Sequence, residues 1–286
     1  MYTKEIEALR LYEGDTRIRD GDGELIFMES ADPFYNDRYA YRTLNPLLFP
    51  GISSEYSRIE LEKNQLNIIF FERIEQTIQL FCDMFWLMCT YRSEHRTEEI
   101  IAKRIDRHSA LSQYKKGRTA SFVSASKAKY DKEFAISKNG VILLEVHMNQ
   151  NVPYLDFETV LGKDYRYHSE REVLLPPFIN VLVKEVSMTI TEKKRYRDMK
   201  DHQPLGKYQI HTIELEDFAK ESMISASKEA MAINICQKSD IGMDAIAAMN
   251  RGEWEYDFSD YVAWKEELQF YLKVVLSDMW YRGWKI

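Results

Sequence analysis

Tyr165-Arg-Tyr-His-Ser-Glu170-Arg-Glu172-Val-Leu-Leu-Pro-Pro177 is the stretch on which the reading of this chain turns. Side chains two apart in a strand share a face, so Glu170 and Glu172 are expected to stand together with Arg171 pointing away. Val173, Leu174 and Leu175 continue the pattern as a buried strand. Two carboxylates at the mouth of such a strand suit chemistry on a glycosidic bond, where one stabilises positive charge growing on a sugar and the other handles a proton. Taken alone, Glu-x-Glu is short, and most such pairs are solvated acidic strand ends. The rest of the chain separates the two readings.

Composition sets the limits. A chain of 286 residues that is 45% hydrophobic and 30% charged has material for a full core, in one large domain or in a domain with an added module. A formal net charge of -7 gives no global pull toward nucleic acid or an anionic membrane and favours a protein or small-molecule partner. Three cysteines, Cys82, Cys89 and Cys236, lack paired spacing and read as buried reduced thiols. The histidines show no metal-ligand spacing, and there is no Gly-rich phosphate loop or Walker lysine, so no metal is expected. The first residues hold no apolar signal core and no apolar run is long enough to span a bilayer. The expectation is a protein that works in a cytoplasm, its own or a target cell's, without a membrane partner.

Working outward, residues 3–12 have helical spacing, and the Arg19-Asp-Gly-Asp-Gly-Glu24 run reads as a turn. It is no calcium loop, because the sixth position counted from Asp20 is Leu25 where an EF-hand needs glycine. A short strand is expected at 25–28, and a second at 38–44, rich in β-favouring tyrosines and carrying Arg42. A long core helix is expected over 53–91 and another over 94–114, the latter closed by Lys115, Lys116 and Arg118 at its negative dipole end. Short strands follow at 119–123, 140–148, 153–155, 170–175, 179–191 and 207–215, with a basic loop at 192–207. Helical spacing returns over 218–236 and from 241, and ends in a helix over 258–281 striped by Tyr261, Trp264, Leu268, Tyr271, Val275 and Met279. Helices first and strands after imply an α+β fold.

Three motifs now stand in order: Arg42 in Tyr-Ala-Tyr-Arg-Thr-Leu, the Ser124-Ala-Ser126 triplet, and Glu170-Arg-Glu172. This order resembles the mono-ADP-ribosyltransferases, in the class defined by Arg, Ser-x-Ser and Glu-x-Glu, and the resemblance spans 39–216. It implies an α+β, ADP-ribosyltransferase-like fold with a split mixed β core, helices ahead of it and a helical C-terminal extension. The corresponding domains are a catalytic domain over 1–217 and a packed helical extension over 218–286.

The same resemblance assigns roles. Glu172 is the catalytic glutamate, and Glu170 orients or deprotonates the acceptor. Arg42 grips the phosphates or adjoining ribose of NAD, the co-substrate, with Arg92 as its rival. Ser124 and Ser126 match the two serines of the family's Ser-Thr-Ser motif, where the first orients the glutamate; Ala125 replaces the threonine. Residues 127–134 form the loop over the nicotinamide-phosphate region with Phe134 packing there, and Tyr167 presents its ring to the acceptor. His168 is a bystander by default.

The implied activity moves ADP-ribose from NAD to a macromolecular acceptor, a protein arginine first, in a toxin- or effector-like protein. Alternatives are a nucleic-acid base as acceptor, NAD hydrolysis alone, or a non-catalytic binding module on the same fold. An antitoxin or chaperone bound through the helical tail is a further implied partner, although the tail's stripe looks like internal packing.

Overall fold

The computed structural model describes residues 3–13, 17–19, 25–27, 32–37, 40–49, 65–94, 99–128, 130, 140–162, 171–196, 203–218 and 228–282. They form an α+β protein that divides into two compact units, Met1–Leu87 with Asp217–Ile286, and Met88–Glu216. This division groups the first part of the chain with the C-terminal helices, where the sequence reading grouped it with the strands.

The first unit is mainly helical. It holds α1 (Thr3–Glu13), a hairpin of β1 (Arg17–Arg19) and β2 (Leu25–Phe27), α2 (Ala40–Leu48), α3 (Ile69–Glu72) and the first part of α4 (Ile74–Glu94). The unit closes with α8 (Lys228–Gln237), α9 (Ser239–Arg251) and α10 (Ser259–Arg282). The described part of the segment expected as a strand over 38–44, from Ala40 onward, is instead the helix α2. Ala40, Leu44, Leu47 and Leu48 recur at helical spacing and are all buried, and that periodicity outweighs the β preference of the tyrosines.

Helix α10 docks on this N-terminal material. Lys265 donates to the Pro46 carbonyl at 3.2 Å, and Gln269 donates to the carbonyls of Leu47 at 2.9 Å and Phe49 at 2.8 Å. These are carbonyls near the C-terminal end of α2 and just beyond it, where a helix leaves acceptors without internal partners. The expected stripe is inward, with Tyr261, Trp264, Leu268, Val275 and Met279 buried. Gly242 of α9 admits Phe71 and Trp264 against the helix, since a Cβ there would stand 2.6 Å from Phe71 Cδ1.

The second unit carries a seven-stranded mixed sheet in the order β6-β7-β4-β3-β5-β9-β8. The strands are β3 (Ile100–Arg107), β4 (Val123–Ser126), β5 (Val141–Met148), β6 (Leu155–Asp156), β7 (Glu172–Leu175), β8 (Ile179–Val186) and β9 (Lys207–Leu215). Neighbours are antiparallel except β5 and β9, which are parallel. Among the described residues, the connections include the short helices α5 (Leu111–Lys115), α6 (Phe157–Leu161) and α7 (Ile190–Tyr196).

Two expectations change here. The helix expected over 94–114 is strand β3 followed by a short helical turn and α5. Eight consecutive partners on β5 fix β3 as a strand, so tertiary pairing overrides the local helical tendency of the charged run. The basic loop expected from 192 begins as helix α7. Thr189 and Glu192 cap it reciprocally: the Thr189 N–H donates to Glu192 Oε2 at 2.8 Å and the Glu192 N–H donates to Thr189 Oγ1 at 3.2 Å.

Candidate active site

Strand β7 begins where backbone geometry changes. Arg171 has φ of 49°, a left-handed conformation that a non-glycine residue seldom adopts, and Glu172 is the first extended residue after it. Among the described residues the strand therefore starts at Glu172, and Glu170, which the sequence reading placed on the same face, lies outside them. From Glu172 to Leu175 every residue is buried, because β7 lies between β4 and β6. Pro176 and Pro177 follow, and neither has a backbone N–H to continue the ladder.

The partner strand supplies the hydroxyl. Ser126 of β4 stands opposite Glu172, and Ser124 opposite Leu174. Residues two apart share a face, which places Ser124 diagonally from Glu172 within side-chain reach. Ser124 Oγ donates a hydrogen bond to Glu172 Oε1. Glu172 is only 6% exposed, and Ser124 is half-buried. A carboxyl group so placed has its orientation set by a neighbouring strand.

Next to this pair the sheet opens. Strands β3 and β4 share a single registered pair, Lys103 opposite Ser126. Beyond it, Arg104 of β3 bridges the divergence: Nη1 donates to the Ser124 carbonyl at 2.8 Å, while Nε bonds Asp106 Oδ2 at 2.8 Å. Tyr114 Oη also donates to Asp106, at 3.3 Å. A side chain thus replaces the ladder bond that splaying would otherwise leave unmade at Ser124.

Charged groups frame the opposite side of Glu172. Lys127 Nζ bonds Asp156 and lies 3.8 Å from Glu158, and Arg171 Nε lies 3.5 Å from the same Glu158 oxygen. The Lys127 N–H donates to the Arg171 carbonyl at 3.0 Å, extending the β4–β7 pairing past Glu172. The Ala128 N–H donates to Ser126 Oγ at 3.1 Å, so the second serine shapes the turn that leaves β4. Asp156 Oδ1 is buried with no hydrogen-bond partner among the described residues.

The expected site residues are distributed unevenly. Ser124, Ser126 and Glu172 come together in the sheet unit. Arg42 lies on α2 of the helical unit, with its guanidinium 5.9 Å from the neighbouring Tyr41 ring. Its rival Arg92 ends α4, buried, with its guanidinium 5.0 Å over the Tyr154 ring. The Tyr91 ring packs edge-on against Tyr154 at 5.7 Å, and burial pushes its hydroxyl up to about 12. Glu170, Tyr167, His168 and Phe134 fall outside the described residues. The residue that sequence reasoning missed is Arg104. The β-branched Ile100, Ile101 and Ile105 would have marked its strand, had the segment not been read as a helix.

None of the cysteines is paired, and burial holds all three thiols above their ordinary value, Cys82 at about 12. They are poor nucleophiles there. Among the described residues no helix is long and apolar enough to cross a membrane.

No family model matches the chain, and no curated protein matches it significantly. Among solved structures, the chain is similar to BECa, an ADP-ribosylating toxin of a binary enterotoxin of C. perfringens, determined with NADH. The two share 13% identity with a TM-score of 0.33, over 60% of this chain and 40% of the toxin chain. At that level the likeness carries no argument about activity.

Proposed function

We propose that the chain transfers ADP-ribose from NAD to a macromolecular acceptor, with Glu172 as the catalytic carboxylate. The observation that supports this reading is the buried glutamate at the start of β7, bonded by Ser124 from the adjoining strand. In this reaction the bond between ribose C1′ and the nicotinamide nitrogen breaks and its electron pair leaves with nicotinamide. The ribose gains positive charge, and an acceptor lone pair then closes on C1′ as the acceptor loses a proton.

A carboxylate held in place before the bond breaks stabilises that charge without reorganising, which is the source of its catalytic value. Ser124 is a positioning residue, since it acts through Glu172. Arg104 takes the place in this network that the sequence reading gave to Arg42. It fixes the Ser124 carbonyl, and a guanidinium suits the diphosphate of NAD. Glu170 serves the acceptor in this reading, two residues before the catalytic carboxylate.

A protein arginine is the proposed acceptor, because its guanidinium complements a glutamate through paired charge-assisted bonds. The test is incubation of the whole chain with NAD labelled in its adenine half, alone and with lysate. Release of nicotinamide with label passing to protein is expected. An intact NAD pool in both arms would contradict the proposal and favour a non-catalytic module.

A further inference from the structure

Away from Glu172, the far end of the same sheet assembles three ligand-bearing side chains that the proposed reaction does not use. Parallel pairing of β5 and β9 sets His147 directly opposite His211. On the other side of β5, Ile101 stands opposite His147, and Glu99 lies two residues before Ile101, just ahead of β3. One donor atom from each of Glu99, His147 and His211 falls within 4.8 Å of the other two.

The details suit a ligand better than they suit packing. His147 Nδ1 lies 3.2 Å from Glu99 Oε1, and the two imidazole centroids are 4.3 Å apart at 31°. Bonds of about 2.0–2.1 Å at a tetrahedral ion put neighbouring donor atoms about 3.3 Å apart. His147 is 9% exposed, and its Nε2 is buried with no hydrogen-bond partner among the described residues. That nitrogen lies across the ring from Nδ1 and would not be a ligand of an ion held between Nδ1 and Glu99.

We infer that Glu99, His147 and His211 form a binding site for a divalent metal ion of the zinc class. Two imidazoles and one carboxylate are a borderline donor set that suits zinc, cobalt or nickel and is poor for magnesium or calcium, which prefer all-oxygen shells. Three protein ligands leave a fourth position for water. The site is accessible, because Glu99 is exposed, His211 is half-buried, and the flanking Ile101 and Leu182 are 49% and 62% exposed. Sequence spacing hides it, since His147 and His211 meet only through the parallel register.

The experiment is titration of the whole chain, first stripped with a chelator, with cobalt(II) and then zinc, read by visible absorption and calorimetry. One cobalt per chain is expected, with tetrahedral-type absorption bands that zinc displaces and millimolar magnesium does not. Glu99→Gln is expected to weaken binding, and His211→Ala to abolish the bands. Glu99 is exposed, so its variant folds irrespective of how the His211 variant behaves. Absence of cobalt binding, or affinity unchanged in Glu99→Gln, would overturn the site and leave a His147–Glu99 hydrogen bond. Bands carrying thiolate charge-transfer absorption would also overturn it, assigning the ion to cysteine. None of these readouts depends on NAD cleavage.

Discussion

Ser124 and Glu172 are joined by one hydrogen bond, and removing its donor isolates what that bond does. Ser124→Ala leaves a buried carboxylate short of a partner, a loss of about 1–3 kcal/mol to the folded state. The expected outcome is a lower melting temperature together with slower nicotinamide release, and Ser124→Thr, which keeps the hydroxyl, should recover most of the rate. The arginines make a sharper pair. Arg104→Lys loses the planar fork that meets both the Ser124 carbonyl and Asp106, so NAD cleavage should fall strongly. Arg42→Lys, which leaves the Arg104 contacts to Ser124 and Asp106 untouched, should leave it near normal. Steady-state rates of the two variants decide: the reverse order would return the role to Arg42.

At the scale of elements, α10 buries a lysine side chain. Lys265 is 1% exposed, bonds the Pro46 carbonyl and lies over the Tyr261 ring, and burial lowers its pKa from 10.5 to about 8. The unfolded chain therefore holds this proton more tightly than the folded one, and stability should rise as pH climbs from about 8 to 10.5. The full swing is about 3 kcal/mol, to order of magnitude. Thermal melts of the wild type against Lys265→Met across that window should show the difference shrink; a constant difference would mean that Lys265 is not buried as a cation. Gly242→Ala would force a Cβ against Phe71 and Trp264, and overpacking of this kind costs about 1–3 kcal/mol, more than the helix propensity it gains. A raised melting temperature would contradict the α9 packing. These contacts were only partly legible in the sequence. The α10 stripe and strand β9 could be read because their hydrophobic patterns agree with their tertiary surroundings. Strand β3 and helix α2 were misread in opposite directions, since pairing in one and an apolar helical face in the other outweighed residue preference. The Glu172 end of the motif was visible, but the left-handed Arg171 that starts the strand there is a backbone fact that no residue pattern announces.

For the whole molecule, the net charge of -7 weighs against a nucleic-acid acceptor and for a protein one. Labelled product from lysate should accordingly disappear with protease and survive nuclease; loss with nuclease would replace the arginine with a base. Glu170→Gln should suppress transfer more than hydrolysis, because water needs less help than a guanidinium in reaching the sugar cation, and equal losses would reject that division of labour. The most direct test of the account is nicotinamide release from NAD by Glu172→Gln beside the wild type. The amide keeps the shape and an acceptor oxygen for Ser124 but lacks the charge, so the rate should fall roughly a hundred- to thousand-fold with little change in melting temperature. A variant that releases nicotinamide at the wild-type rate would contradict the account.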